Sequence, residues 1–73
     1  MEIRISRHAK RRMKERKIAY NEIVEAVESP EEITPSIKGR LNYRKTVGDR
    51  HIKVTCIENP GEITVITVMD KKS

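Results

Sequence analysis

Two imidazoles, His8 and His51, are the side chains of this 73-residue chain best suited to move a proton near neutrality, because an unperturbed histidine titrates at about pH 6.5. Neither stands at metal-ligand spacing with the other or with Cys56, the single cysteine, so no zinc site is expected. The run around His8, from Arg7 to Arg16, holds Ala, Met, Arg, Lys and Glu without Gly, Pro or a β-branched residue, and reads as a helix capped by Ser6. At about 100° per residue, with His8 at zero, Arg12 falls at about 40° and Arg16 at about 80°, beside Ala9 and Met13 at about 100° and 140°. A guanidinium at the border of a buried stripe loses hydration. It needs either a carboxylate, for which Glu22, Glu25 and Glu28 on the next helix are candidates, or a phosphate that its planar fork can grip. Arg7, Lys10, Arg11, Lys14 and Lys17 project elsewhere as a solvated basic surface.

A second constellation lies further along. Asn42, Arg44 and Thr46 alternate to one side of a strand pattern, and His51, Lys53 and Thr55 do the same on the next. If the register of the turn at Gly48-Asp49 brings both sets to one face, a histidine, an arginine and a lysine converge. The plain alternative is an ordinary solvated sheet face. Cys56 falls on the apolar side of its strand and reads as a small buried hydrophobe, not a nucleophile.

Charge is segregated as well as positive: sixteen Lys and Arg against eleven Asp and Glu leave +5. Between positions 4 and 17, eight cations face Glu15 alone; from 18 to 37 there is no Lys or Arg but five glutamates; from 38 to 53 six cations face Asp49. Solubility alone is served by mixing both signs, whereas single-sign fields steer polyanions. With 36% apolar and 37% charged residues the core must be thin, so one domain over 1–73 is expected. One cysteine excludes an intramolecular disulfide framework. Tyr20 and Tyr43 are the only aromatics, which disfavours stacking platforms for bases. No apolar run is long enough for a signal peptide or a membrane span, so a cytoplasmic protein is expected, with no small-molecule cofactor.

The elements that must position these groups follow from periodicity. A short strand at 2–5 precedes the helix at 7–16. A second helix at 22–28, capped by Asn21, presents Ile23, Ala26 and Val27 and stops at Ser29-Pro30, and the linker 17–20 is short enough to make the helices a compact hairpin. Alternation then predicts strands at 41–47, 51–56 and 62–69, joined by Gly48-Asp49 and by Glu58-Asn59-Pro60-Gly61, with 31–36 as an extended piece held to an edge by Pro35 and 71–73 as a frayed tail. The order β-α-α-β-β-β is an α+β fold, a helical pair on a three- to four-stranded antiparallel sheet.

The residues Ser6-Arg7-His8-Ala9, Arg12-Met13, Arg16 and Ile18 resemble the H-A-x-x-R-M-x-x-R-x-I signature of an uncharacterised domain-of-unknown-function family of short prokaryotic proteins. Glu28-Ser29-Pro30, Gly39-Arg40, Tyr43-Arg44 and the run Ile63 to Thr67 extend the likeness over nearly the whole chain. That family is similar to the RelE, ParE and BrnT group of toxin-antitoxin proteins, whose fold is a strand, a helical pair and an antiparallel sheet. The resemblance implies a metal-independent endoribonuclease that cuts mRNA, often paired with a small antitoxin, with no fixed catalytic set and with members that are not nucleases. Many members carry a basic C-terminal helix that this chain lacks. Under that reading His8 or His51 would be the acid-base group, Arg12, Arg16 and Arg44 would stabilise the phosphate, and Tyr43 would stack or pass a proton. Arg7, Lys10, Arg11, Lys14 and Lys53 would steer the RNA backbone. The alternative is a non-catalytic nucleic-acid-binding or protein-interaction module of the same fold.

Overall fold

The computed structural model describes residues 2–72, Lys72 by its backbone alone. The chain runs β1 (Glu2–Ile5), α1 (Arg7–Arg16), α2 (Tyr20–Glu28), β2 (Glu32–Pro35), a 3-10 turn (Ile37–Gly39), β3 (Leu41–Val47), β4 (Arg50–Asn59) and β5 (Glu62–Lys72). The α+β class is as expected. The sheet has five strands in the order β1-β5-β4-β3-β2, antiparallel except for the β1/β5 pair, and so is mixed. The parallel pair arises because the β4–β5 hairpin leaves the outer edge of β5 open, and β1 fills it before the chain leaves over one face as α1. Backbone bonds from Glu2 N–H to the Gly61 carbonyl and from Ser6 N–H to the Val65 carbonyl, both 3.0 Å, close the two ends of that pairing. The extended piece at 32–35 pairs with β3, and Pro35 is tolerated on this edge because no further strand needs its missing N–H. Lys71 and Lys72 do not fray: they extend β5 opposite His51 and Arg50, and only Ser73 of that expected tail lies outside the described residues.

Local chemistry explains the helix ends. The Ser6 hydroxyl accepts from Ala9 N–H at 3.0 Å and donates to the Ile66 carbonyl at 2.9 Å, so the cap of α1 also anchors it to β5. Ile66 is the extra residue of a β-bulge, since Thr55 opposes Thr67 while Cys56 opposes Val65. α1 stops at Lys17, in the left-handed region at φ 55°, and Ile18 N–H reaches back to the Met13 carbonyl at 2.9 Å, which turns Ile18 into the core. α2 starts at Tyr20, earlier than expected, with Ala19 and not Asn21 at the cap position. Glu22 makes this work: its carboxylate accepts from Ala19 N–H at 2.8 Å, one half of a capping box.

One face of the sheet carries the core. α1 rests on β5 through Ala9, and α2 rests on β3 and β4 through Ile23, Ala26 and Val27. Contact between the two helices is slight, so they are laid side by side on the sheet and do not form the compact hairpin their short linker suggested. Tyr43, Ile52, Val54, Cys56, Ile63, Val65 and Val68 meet them. Cys56 is fully buried, and burial pushes its thiol up to about 12, in keeping with a structural role.

At one end of this core a single guanidinium ties the elements together. Arg50 donates to both oxygens of Glu22 at 2.8 and 3.0 Å, to Asp70 at 3.4 Å, and to the carbonyls of Arg16 and Lys17 at 3.1 and 2.9 Å. It therefore joins the C-terminus of α1, the first turn of α2 and the far end of β5. Replacing Arg50 by Met keeps the stem but removes the fork, and should lower the unfolding free energy by about 2 kcal/mol, below the usual cost of breaking a buried pair because part of the network meets water. Urea titration measures this. The Ala19 N–H first, and then Arg50, hold the Glu22 carboxyl below its ordinary 4.5 against the opposing effect of burial. Since the folded value is the lower one, the associated stability is complete above about pH 4.5 and fades as the pH falls through the folded pKa. Glu22→Gln should flatten that acid limb of the stability curve.

Candidate functional site

The register settles the question left by the turn at Gly48-Asp49. Asn42 opposes Thr55, Arg44 opposes Lys53 and Thr46 opposes His51, so the two alternating sets share one face, and it is the face turned away from the helices. β5 adds Thr67, Met69 and Lys71 opposite Thr55, Lys53 and His51, and β2 adds Glu32 opposite Arg44 and Thr34 opposite Asn42. The result is a set of cross-strand rows. One row reads Thr34-Asn42-Thr55-Thr67, the next Glu32-Arg44-Lys53-Met69, and the third Thr46-His51-Lys71. The second and third rows line a groove of about 570 Å³ together with Glu31.

The first row, beside the groove, is made of small side chains. Asn42 and Thr55 are buried although no helix covers them, and the Thr55 hydroxyl donates to the Asn42 carbonyl oxygen at 2.8 Å. The groove's lining carries both signs, Arg44, Lys45, Lys53 and Lys71 against Glu31, Glu32 and Asp70. Arg44 is half exposed and lies 3.7 Å from the well-solvated Glu32 carboxylate, a contact too wet to hold the guanidinium firmly. Among the described residues Lys53 and Lys71 make no ion pair. His51 is oriented by its neighbour, with Nδ1 2.9 Å from the Thr46 hydroxyl, which leaves Nε2 as the ring nitrogen without a partner among the described residues. Thr46 is in turn fixed by its own N–H, which donates to Glu31 at 2.9 Å. This bond first, then the Thr46 hydroxyl, holds the Glu31 carboxyl below its ordinary range. An imidazole held by a hydroxyl, beside three cations, is a group that can move a proton next to a bound anion.

The other expected residues lie elsewhere. His8 is exposed on α1, across the sheet from the groove. Arg12 is partly covered, 3.7 Å from Glu15 one turn on, and its Nε is buried without a hydrogen-bond partner. Arg16 lies 3.7 Å from Asp70, not beside any glutamate of α2, because Glu22 already belongs to Arg50. Arg7, Lys10, Arg11 and Lys14 are exposed on α1, so they and Lys53 occupy opposite sides of the sheet. Tyr43 sits in the core at 3% exposure, where its hydroxyl donates to Glu58 and burial first, then Glu58, raises its pKa. It cannot stack on a base from there. Among the candidates, then, Arg44, His51 and Lys53 come together, while His8, Arg12 and Arg16 form a separate group and Tyr43 is structural.

Three residues that matter were not singled out from the sequence. Lys71 was assigned to a tail, although the alternation Thr67, Met69, Lys71 carries it onto the same face. Glu31 and Arg50 act through contacts more than ten positions distant in the chain, for which the sequence holds no local sign.

Tyr43→Phe should cost about 1 kcal/mol in a denaturant titration, the ordinary worth of one hydrogen bond. No curated protein and no solved structure matches the chain. Residues 5–70, almost its entire length, match the family described as Domain of unknown function (DUF4258), to which the chain therefore belongs.

Proposed function

We propose that this protein is a metal-independent endoribonuclease of the RelE-like kind, the toxin of a toxin-antitoxin pair acting on mRNA in the cytoplasm, with the open sheet face as its active surface. The observation that supports this most is the register that sets Arg44 against Lys53 and Thr46 against His51, with Lys71 beside them in one groove. In such a reaction the 2′-hydroxyl attacks the adjacent phosphorus and the 5′-oxygen leaves, giving a 2′,3′-cyclic phosphate and a free 5′-hydroxyl. His51 takes the proton from the nucleophile and returns it to the leaving oxygen. Arg44 and Lys53 balance the charge that builds on the phosphorane, where fixed cations act most strongly. Lys71 draws the backbone into the groove. The position of His51 in the groove, against that of His8 across the sheet, supports reading His51 as the acid-base group. A small acidic antitoxin encoded beside this chain would inhibit it by covering the same cations.

The test is a 5′-labelled mRNA fragment incubated with purified protein in EDTA. Cleavage to cyclic-phosphate ends is expected, reduced about 100-fold or more by His51→Ala and about 10- to 100-fold by Arg44→Ala, with RNA affinity changed only a few-fold. Salt-sensitive retention that Arg44→Ala and Lys53→Ala weaken, without any product, would favour the non-catalytic binding module. No retention at physiological salt would defeat both readings.

A further inference from the structure

The four cations Arg7, Lys10, Arg11 and Lys14 leave the groove unexplained, since the whole sheet stands between them and it. On α1 the side chains directed at the protein body, Ala9, Met13, Arg12 and Arg16, centre at about 90° when His8 is set to zero. Lys10, Lys14, Arg7 and Arg11 fall at about 200°, 240°, 260° and 300°, a single arc diametrically opposite. All four are exposed, and among the described residues none of their side chains is engaged in a hydrogen bond or ion pair. The one carboxylate of the helix, Glu15, lies beside Arg12 at 3.7 Å. Helical rise spreads the four over about 10 Å, and no apolar or aromatic side chain interrupts them.

We infer that the outer face of α1 is a second nucleic-acid contact, separate from the groove, and that it takes the phosphate backbone of an RNA duplex. The chemistry selects a duplex for two reasons. A convex surface made of long cationic stems has no floor on which base edges could be read, so it can answer only to phosphates. A duplex presents those phosphates as a rigid array, whereas a single strand must be ordered along the helix before several cations can engage it at once. The groove differs in shape, being concave and lined by Thr46, His51, Ile52 and Met69 as well as by charged side chains. The protein thus holds two polyanion surfaces on opposite sides of its sheet, and a folded RNA could dock by a stem on α1. This inference goes beyond the endoribonuclease reading and rests on different residues.

Anisotropy of a labelled RNA duplex of about 16 base pairs, long enough to offer two successive minor grooves, tests it across a salt series in EDTA. Arg11→Glu and Lys14→Glu should each weaken binding about fivefold or more and lower the slope of log affinity against log salt by about one or more. Lys38→Glu makes the same charge change at an exposed site in the 3-10 turn, and should change affinity by less than about twofold. Circular dichroism should show the same folded spectrum for all four proteins at the assay temperature, the two α1 reversals lowering the melt only by small charge effects at the helix end and at Glu15. Equal weakening by Lys38→Glu would show that only net charge matters, and unchanged binding in both α1 variants would show that the duplex goes elsewhere; either overturns the inference. Cleavage is not read in this assay, so an inactive groove would leave its outcome as it stands.

Discussion

The fold depends on one buffered charge at the end of its core. Arg50 begins β4, but its guanidinium reaches the last carbonyls of α1, the first turn of α2 and the end of β5. Carbonyls at a helix C-terminus have no partner within the helix, and a cation is the natural group to meet them. Because helices α1 and α2 touch each other little, this clamp does what helix-helix packing does in larger proteins: it fixes where each lies on the sheet. The positive charge is matched by Glu22 and Asp70, so no uncompensated charge is buried. Arg16 shares Asp70 from the other side, which extends the network to the surface without weakening it.

With so few apolar residues, the chain can cover only one face of its sheet. That scarcity has a functional consequence. The apolar alternation is spent on the helix side, leaving the opposite face to Thr, Asn, Arg, Lys and His, and a polar face on five strands becomes a broad surface open to solvent. Part of it forms a groove lined by Arg44, Thr46, His51, Lys53, Met69 and Lys71, beside the buried pair Asn42 and Thr55. Thr46 is the pivot of this surface. Its backbone is held by Glu31 and its hydroxyl by His51, so a strand-edge contact is transmitted directly to the orientation of the imidazole.

Charge follows the same division. Of the basic segment that opens the sequence, Arg7 to Arg16 lie on α1; of the second, Arg44 and Lys53 lie on the opposite face of the sheet, while Arg50 and Lys45 turn to the helix side. The acidic stretch between them is partly consumed as structure, Glu22 in the clamp and Glu31 at Thr46, and the remainder, Glu25, Glu28 and Glu32, is exposed. Segregation of sign along the chain is therefore divided in space, with Arg7, Lys10, Arg11 and Lys14 on one side of the sheet and Arg44, Lys53 and Lys71 on the other.

Much was legible in the order of residues. The α+β class, the caps at Ser6 and Ser29-Pro30, the buried faces of Ile23, Ala26 and Val27, the inert Cys56 and the turns at Gly48-Asp49 and Pro60-Gly61 all follow from local rules of period, capping and backbone freedom. Those rules act over a few residues, which is why they sufficed. What the tertiary structure alone decided were relations between distant segments: β1 beside β5, Glu22 given to Arg50 so that Arg16 turns to Asp70, Tyr43 sealed beneath α2, and His51 placed across the sheet from His8. Each depends on which strand edge is free and on which carboxylate is nearest after packing, and a competition between partners far apart in the chain is settled only when all of them are present in space.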